Sequence, residues 1–295
     1  MKVIIIGIDG FVGTSLEKYI NKNFSNLSVY SIGKGFFKNN RMECLSDIAD
    51  IISFIKRLTH KDDEPFICIN CLSASNVDFC EKNPKVSCFV NEEFPRELFK
   101  RISDFSNARI FSFSSNAVYC GDNSLYSESS EFSPVNYYGQ HKANLDEFIR
   151  LSDLPINIIR PTTLFGTPML GNRSNPVYDL VLKAQSKDRV SLVSDLVVNI
   201  GYVDDLCEAI CILINDQEIG GEYNFGGPER LSRYDLGVLI YRYYEVDLKF
   251  IKKVKMKDFS NFVMRPLDTS FDCKKFDTRF SISRTSVHTF LKYKL

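Results

Sequence analysis

Apolar runs alternate with amphipathic segments along the first 160 residues of the chain. The runs are short and mostly apolar, and several are rich in isoleucine, as expected of strands in a largely buried parallel sheet. They predict strands at 2–7, 28–32, 66–70, 109–114 and 155–160, and the segments between them predict helices near 11–22, 47–58, 84–104 and 138–150. This alternation is typical of an α/β protein whose parallel strands are joined by right-handed helical crossovers.

The pattern loosens after Pro161, where glycine and proline residues interrupt it before a helix that begins near Val177. Beyond this point the chain predicts strands at 190–193, 222–225 and 248–252 and helices at 204–214 and 232–244. We therefore predict a doubly wound parallel sheet, the Rossmann fold, with a smaller C-terminal substrate lobe. The core is assigned to 1–160, and 161–295 is assigned to the interleaved remainder of the sheet and the lobe.

A glycine-rich turn follows the first predicted strand. Gly7, Gly10 and Gly13 have the spacing GxxGxxG and precede a helical pattern. Glycine permits the positive φ of a tight turn, lets backbone N–H groups approach a phosphate and lets the helix pack closely on the strand. We therefore expect Gly7, Gly10, Phe11, Val12 and Gly13 to bind the pyrophosphate of a dinucleotide, which makes the N-terminal core a dinucleotide-binding unit.

The end of the second predicted strand bears on which dinucleotide binds. A carboxylate there accepts hydrogen bonds from the ribose of NAD and repels the 2′-phosphate of NADP. No carboxylate occurs until Glu43, whereas Ser31 and Lys34 offer a hydroxyl and a cation to a phosphate. The sequence therefore favours NADP(H) and leaves NAD(H) as the alternative. Asp9, inside the glycine turn, is expected to turn away from the pyrophosphate or to cap the helix.

Composition narrows the class of protein. The chain has 295 residues, of which 44% are hydrophobic, so it is long enough to bury a large core. Its 37 basic and 37 acidic side chains cancel, and no apolar run approaches the ~20 residues of a membrane-spanning helix. Neither nucleic acid nor a membrane is therefore an expected partner.

The nine cysteines are expected to be reduced. Cys68 and Cys71 have a CxxC spacing, but no second such pair follows and no histidine lies near them in the sequence. Buried thiols of this kind behave as small hydrophobic side chains, so we predict neither a metal site nor a redox pair. The odd number of cysteines and the lack of an export signal favour a cytoplasmic protein.

Tyr138 and Lys142 are four residues apart in a predicted helix, which sets a phenol and an ammonium on one face. A nearby lysine favours the phenolate, so the pair is suited to proton transfer. Ser115 follows the strand 109–114, and ligands of open α/β sheets bind at this end of the strands. Each feature alone is also common in turns and on solvated helices, but together they predict a catalytic site.

The glycine turn, Ser115, Tyr138 and Lys142 occur in the order and at the spacing of the extended short-chain dehydrogenase/reductases, and the chain most resembles the dTDP-4-dehydrorhamnose reductase family. The resemblance covers nearly the whole length and includes the segments 70–73, 77–84, 90–91, 159–162, 223–235 and 265–272. It implies further cofactor contacts from Cys71, Leu72, Ser73, Asn91, Lys142 and Pro161. It implies substrate contacts from Ser115, Val118, Tyr119, Arg173 and Arg265.

The resemblance also implies a reaction, which is reduction of a nucleoside-diphosphate-linked 4-keto-6-deoxyhexose by a nicotinamide cofactor. Tyr138 would give its proton to the carbonyl oxygen, and Ser115 would hydrogen-bond the same oxygen. Lys142 would lower the pKa of that tyrosine and hold the nicotinamide ribose. Such an enzyme would serve dTDP-rhamnose and polysaccharide biosynthesis, with a homodimer as a further expectation.

Alternatives remain open. The segment 114–119 also resembles sugar-nucleotide 4-epimerases, which keep NAD bound, although the missing carboxylate after the second strand speaks against them. A 4,6-dehydratase is disfavoured because Asn116 and Ala117 stand where those enzymes usually have an Asp-Glu pair. A dinucleotide-binding regulatory subunit, like the partner of methionine adenosyltransferase, is the non-enzymatic alternative. Arg265 is equally suited to gripping a diphosphate and to pairing with Asp268 or Asp272.

Overall fold

The computed structural model describes residues 1–34, 47–59, 65–152, 154–168, 175–216, 220–259 and 263–295. Its strands are β1 (Lys2–Ile6), β2 (Ser28–Ile32), β3 (Phe66–Asn70), β4 (Ala108–Phe113), β5 (Ile156–Pro161), β6 (Leu164–Phe165), β7 (Val190–Val193), β8 (Val197–Val198), β9 (Gly201–Tyr202), β10 (Gly221–Phe225), β11 (Leu231–Ser232) and β12 (Ile251–Val254). Six of these strands form one parallel sheet in the order β2-β1-β3-β4-β5-β10. The doubly wound parallel sheet predicted from the sequence is confirmed.

The helices in the described ranges are α1 (Phe11–Asn23), α2 (Asp47–Thr59), α3 (Val77–Lys82), α4 (Pro84–Cys88), α5 (Phe94–Ser103), α6 (Tyr137–Leu151), α7 (Pro176–Gln185), α8 (Val203–Asn215), α9 (Arg233–Tyr243), α10 (Lys274–Phe280) and α11 (Val287–Tyr293). The single helix expected over 84–104 is instead α4, a π-helical turn at Phe89–Glu93, and α5. Pro95 has no N–H to donate to the carbonyl of Asn91 four residues earlier, so the regular α-helical pattern is interrupted there.

Residues along each strand alternate between the two faces of the sheet. Val3 and Ile5 of β1 are buried in the core beneath α1 and α8, whereas Ile4 and Ile6 are buried in the core beneath α2, α5 and α6. A third cluster joins α7, α9 and α11 to the short strands of the smaller lobe. Among the described residues, no helix is long and apolar enough to cross a bilayer.

The order of the strands defines where a ligand site can form. From β1 the chain continues to β2 on one side and then crosses to β3 on the other, so the connections diverge between β1 and β3. The carboxyl ends of these two strands are adjacent, because Ile6 pairs with Asn70. In open α/β sheets a crevice forms at this switch point, and ligands bind there.

Candidate active site

Backbone packs directly against backbone at the glycine turn. Gly7 has a φ of +90°, and a Cβ added to it would lie 2.6 Å from the Leu72 nitrogen in the segment after β3. A Cβ on Gly13 would lie 2.5 Å from the Gly7 oxygen. These two glycines therefore hold β1, α1 and the segment after β3 together. Gly10 is less crowded, because the only close neighbour of an added Cβ is the Gly7 oxygen at 3.2 Å.

Asp9 turns away from the start of α1. Its Oδ2 accepts a hydrogen bond from the Lys34 backbone nitrogen at 2.5 Å, which ties the glycine turn to the end of β2. The carboxylate also lies against Gly33, where an added Cβ would be 2.6 Å from Asp9 Oδ2. Within the described part of the chain, no side chain caps α1 at Gly10, and Phe11 and Val12 are half-buried in its first turn.

The two residues expected to meet a 2′-phosphate differ in their surroundings. The Ser31 hydroxyl donates to Glu17 Oε1 at 2.5 Å, and its phosphate contact stays a prediction. A carboxylate acceptor beside that hydroxyl disfavours an anion there. The Lys34 side chain is exposed at the corner formed by β2 and the glycine turn. Glu43 lies outside the described residues.

The helix α6, which carries Tyr138 and Lys142, starts next to the loop that carries Ser115. Asn136 caps α6 by accepting from the Gly139 nitrogen at 2.9 Å. An added Cβ on Gly139 would lie only 2.1 Å from the Ala117 oxygen, so glycine lets the first turn of α6 approach this loop. Tyr138 is 8% exposed and faces the loop, whereas Tyr137 is 46% exposed.

The hydroxyls of Ser73 and Ser115 meet the phenol of Tyr138. Hydrogen bonds from Ser115 and Ser73 act on the phenol and favour its ionised form, but burial is the larger effect and raises the pKa of Tyr138. Ser115 also orders its own loop, because its Oγ accepts from the Ala117 nitrogen. The structure therefore places the carboxyl ends of β3 and β4 against the first turn of α6.

Lys142, one turn after Tyr138 on α6, is buried and 2% exposed. Its Nζ donates to the Phe113 oxygen at 2.8 Å, at the end of β4. Burial lowers the pKa of Lys142 to about 8, against an opposing effect of Asp146. The expectation that Lys142 lowers the pKa of Tyr138 is not supported in this structure, in which the serine hydroxyls exert that influence.

The pKa of Lys142 gives a prediction for the stability of the ligand-free protein. The folded state releases this proton near pH 8, whereas an unfolded lysine keeps it to about pH 10.5, so this group makes the free energy of unfolding rise with pH between those values. Lys142→Met removes the effect. We expect its melting temperature, relative to wild type, to decrease as the pH rises from about 7 to about 10. Lys18→Met, at an exposed position on α1, is the control; a constant difference for Lys142→Met would contradict the prediction.

Asn91, in the π-helical turn, holds the segment after β3 in place. Its Oδ1 accepts from Ser73 Oγ at 3.0 Å and from the Ala74 nitrogen at 3.1 Å, and its Nδ2 donates to the Ala74 oxygen at 3.2 Å. Leu72 is held by a bond from its nitrogen to Asn70 Oδ1. Asn91 thus positions Ser73 beside the Tyr138 phenol.

Cys71 and Pro161 lie at the carboxyl ends of β3 and β5. Burial raises the pKa of the Cys71 thiol, and the nearby Lys142 opposes this rise. Cys68 is fully buried in β3, and burial raises its pKa to about 12. The described cysteines are free thiols. A thiol with a raised pKa is a poor nucleophile, which agrees with the packing role predicted for this pair.

Sequence reasoning missed a buried ionic network that joins α6 to β5 and β10. Asp146, one turn after Lys142, accepts from Ser114 Oγ at 2.6 Å and from Arg160 Nε at 2.7 Å. Arg160 also donates to Glu222 at 2.7 Å, and the side chains of Asp146 and Arg160 are both 0% exposed. Burial opposes the charge on Arg160, but Asp146 and Glu222 outweigh it and raise its pKa. The sequence offered one signal of this network, because the four-residue spacing of Lys142 and Asp146 places both side chains on one face of the helix.

Two residues expected to contact substrate are core residues. Val118 and Tyr119 are both 0% exposed. The Tyr119 ring stacks on Tyr126 at 4.3 Å, and its hydroxyl donates to the Ser127 oxygen. Both side chains therefore have packing roles in this structure, and their substrate contacts stay predictions.

Arg265 pairs with a residue that neither expectation named. Its Nη2 lies 2.7 Å from Asp78 Oδ2 in the first turn of α3, and Arg230 pairs with Asp268. The ion pair joins the segment before α10 to the rim of the site. Arg173 lies outside the described residues, so its predicted substrate contact is untested.

Comparison with known proteins agrees with this geometry. The RmlD substrate binding domain family matches residues 1–294. The chain belongs to this family. Among curated proteins, the RmlD-family chain is 22% identical over 298 residues to methionine adenosyltransferase 2 subunit beta of Mus musculus, covering 100% of this chain and 87% of that protein.

Solved structures resemble the RmlD-family chain over nearly its whole length. The dTDP-4-dehydrorhamnose reductase of Clostridium acetobutylicum has a TM-score of 0.84 at 20% identity and covers 99% of this chain and 98% of its own. That of Bacillus anthracis, in complex with NADP, has a TM-score of 0.83 at 21% identity, with 99% and 97% covered. At these identities the likeness establishes the fold.

Proposed function

We propose that this RmlD-family protein reduces a nucleoside-diphosphate-linked 4-keto-6-deoxyhexose with a nicotinamide dinucleotide. The observation that carries the proposal is the convergence of Ser73, Ser115, Tyr138 and Lys142 at the carboxyl edge of the sheet, beside the switch point. A buried phenol with serine hydroxyls on it is suited to donating a proton to a carbonyl oxygen. The resemblance to dTDP-4-dehydrorhamnose reductases supports the choice of substrate class.

When bound, the nicotinamide supplies a hydride to the carbonyl carbon. Tyr138 delivers the proton to the carbonyl oxygen, so one hydride and one proton convert the ketone to an alcohol. Its raised pKa keeps the phenol protonated before the reaction. Ser115 donates a hydrogen bond to the oxygen as negative charge develops there. Lys142, anchored on the Phe113 oxygen at the end of β4, would hold the nicotinamide ribose.

The glycine turn fits a dinucleotide in a way that can be tested. An added Cβ at Gly7 or Gly13 would collide with backbone, whereas one at Gly10 has only the Gly7 oxygen nearby. The first turn of α1 has no side-chain cap at Gly10 in the described structure, as expected where N–H groups receive a phosphate. The proposal therefore assigns the pyrophosphate to Gly10, Phe11 and Val12.

Gly10→Val is expected to weaken binding of NADPH and of NADH by at least about tenfold, because its side chain would occupy the space in front of α1. The melting temperature without ligand should fall less than in Gly13→Ala, since a Cβ at residue 10 would lie 3.2 Å from the Gly7 oxygen, against 2.5 Å for one at residue 13. Calorimetric titration measures the loss. Gly13→Ala is the contrasting variant, which should lower the melting temperature because its Cβ meets the Gly7 oxygen. Unchanged dinucleotide affinity in Gly10→Val would contradict the assignment.

NADP(H) is the proposed preference, and Lys34 is the residue that supports it. Lys34→Ala should weaken NADPH binding by about 1–3 kcal/mol, the scale of a charged hydrogen bond, and leave NADH binding unchanged. The Asp9 carboxylate accepts from the Lys34 backbone nitrogen, so its negative charge opposes binding of a 2′-phosphate at this corner. Calorimetry measures the affinity of the variant for NADPH and for NADH. Equal losses for NADPH and NADH would remove Lys34 from the 2′-phosphate site.

The substrate side of the site is assigned more coarsely. Arg265 and Arg173 are proposed to hold the diphosphate of the sugar nucleotide, since guanidinium groups bind phosphates in a bidentate manner. Arg265 lies on the rim of the site through its pair with Asp78 in α3. Binding there would exchange the carboxylate for a phosphate as the partner of Arg265.

The similarity to a methionine adenosyltransferase subunit supports a second candidate, a regulatory dinucleotide-binding subunit. The two functions separate in one assay. The protein is incubated with a panel of nucleoside-diphosphate 4-keto sugars and NADPH, and nicotinamide absorbance is followed. Oxidation of NADPH with one sugar nucleotide supports the reductase. Dinucleotide binding without turnover of any member of the panel supports the regulatory subunit, and NAD copurified with the protein supports an epimerase.

A further inference from the structure

Three side chains that commonly bind metals meet where α6 packs against the end of α4 and the π-helical turn. They are Cys88 at the end of α4, Glu92 in the π-helical turn and His141 in α6. Their ligand atoms all lie within 4.8 Å of one another. We infer that Cys88, Glu92 and His141 form a binding site for a divalent cation of the zinc class. This inference does not depend on the proposed reductase activity.

The fold brings the three residues together through two elements. Cys88 and Glu92 are four residues apart across the start of the π-helical turn, so they lie on one side of it. That side packs on α6, where Asn144 Nδ2 donates to Glu92 Oε2 at 2.8 Å. His141 is one turn before Asn144 on the same helix. The carboxylate is therefore oriented by the helix that carries the imidazole.

His141 is presented as a metal ligand would be. Its Nδ1 is 2.8 Å from Ser87 Oγ, which leaves Nε2 as the nitrogen for an ion. Metal-binding histidines are usually fixed by a hydrogen bond at the other ring nitrogen. Burial lowers the pKa of His141, although Glu92 and Glu93 oppose this, and the neutral imidazole is the form that binds metals. The Tyr137 ring stacks on His141 and fixes its plane.

The set of donor atoms selects the class of ion. Thiolate, imidazole and carboxylate together suit Zn²⁺, whereas Mg²⁺ and Ca²⁺ prefer oxygen ligands. Zinc bonds of about 2.0–2.3 Å set tetrahedral ligand atoms roughly 3.5 Å apart, so flexible side chains must move by about 1 Å to close on the ion. Three protein ligands leave a fourth position for water. On binding, the Cys88 thiol releases its proton to solvent.

Neighbouring charges set how tightly the ion is held. The thiol and the imidazole must both lose a proton from the atom that binds the ion, so binding strengthens as the pH rises. Arg96 Nη2 lies 3.0 Å from Glu92 Oε1, and its positive charge repels a cation bound at Glu92. Arg96 also donates to the Asn144 oxygen at 2.9 Å, and this bond holds it while Glu92 turns toward the ion.

A bound ion would brace the catalytic site. His141 immediately precedes Lys142 and lies three residues after Tyr138. Glu92 immediately follows Asn91, which positions Ser73. An ion shared by His141 and Glu92 would therefore fix the turn that carries the catalytic tyrosine and lysine against the turn that orders the neighbouring serine.

The test uses Zn²⁺ alone and Co²⁺ alone with full-length protein that has been stripped by a chelator. We expect one equivalent of Co²⁺ to produce a thiolate-to-cobalt charge-transfer band, Zn²⁺ to displace it, and Zn²⁺ to raise the melting temperature. Cys88→Ser and His141→Gln should abolish the band. Cys120→Ser, which removes a cysteine from the loop after Tyr119, should retain it.

Ser87→Ala tests the orienting bond and should weaken Zn²⁺ affinity by about 10–100-fold with the band retained, because it removes only the support of His141. Circular dichroism of each variant without metal checks that it is folded. A charge-transfer band that persists in folded Cys88→Ser would place the thiol elsewhere and overturn the site. Absence of one-equivalent binding to folded wild-type protein would also overturn it, and the three residues would then be a hydrogen-bonded cluster.

Discussion

Tyr138→Phe is expected to lower kcat by about 10²–10⁴-fold while leaving dinucleotide affinity nearly unchanged. The change removes one hydroxyl and keeps the ring, which packs with Cys80 and Ala117 in a small cluster between α3, α6 and the loop after β4. The fold should therefore be retained. The lost hydroxyl is the proposed proton donor. Ser73 and Ser115 hydrogen-bond to it but cannot take over its role, since an aliphatic hydroxyl is a far weaker acid than a phenol. Steady-state kinetics with the active sugar nucleotide and calorimetry with NADPH measure the two effects.

The chain offers a matched control in the preceding residue. Tyr137→Phe removes the same atom from a side chain that is 46% exposed and stacks on His141, outside the catalytic contacts. Its kcat should be close to wild type. Wild-type turnover by Tyr138→Phe would exclude this phenol as the acid. An equal loss in both variants would point to a disturbance of α6 rather than to removal of a proton donor.

Local patterns in the sequence were sufficient to predict the main sheet. Strands 28–32 and 66–70 were predicted with the bounds of β2 and β3, and β4 and β5 were displaced by one residue. β3, β4 and β5 are buried along most of their length, so their runs are largely apolar and bounded by turns, whereas β2 lies at the edge of the sheet and is only partly buried. The strand predicted at 248–252 was less accurate, because its first half is a 3₁₀ turn and β12 begins at Ile251.

Contacts between distant parts of the chain could not be read from spacing. The sequence suggested Asp268 or Asp272 as the partner of Arg265, but the structure gives Asp78, which is 187 residues away in the sequence. The same limit applies to pKa values. The spacing of Tyr138 and Lys142 predicted their shared face, whereas the extent of burial, which dominates both pKa values, depends on how α6 packs against β4.

The buried pair of Asp146 and Arg160 carries the largest expected effect on stability. Asp146→Ala should lower the free energy of unfolding by about 3–5 kcal/mol, because it removes the buried partner of the Arg160 guanidinium and leaves it only the partly exposed Glu222. Both side chains are 0% exposed, and the Ser114 hydroxyl loses its acceptor as well. Urea unfolding measures the loss. Asp146 also raises the pKa of Lys142, so the variant should lose activity at a lower pH than wild type.

A double variant separates the cost of an unpaired charge from the value of the pair. Replacing both partners, as in Asp146→Leu with Arg160→Met, removes the buried charges together and should recover much of the stability lost in Asp146→Ala. Recovery is expected because Asp146 Oδ1 and Arg160 Nη1 have no hydrogen-bond partner among the described residues, so the pair is incompletely satisfied. Glu222 then keeps Arg150, which donates to it at 2.6 Å, as its partner. If the double variant were no more stable than Asp146→Ala, the stability would depend on the pair itself rather than on avoiding one unpaired buried charge.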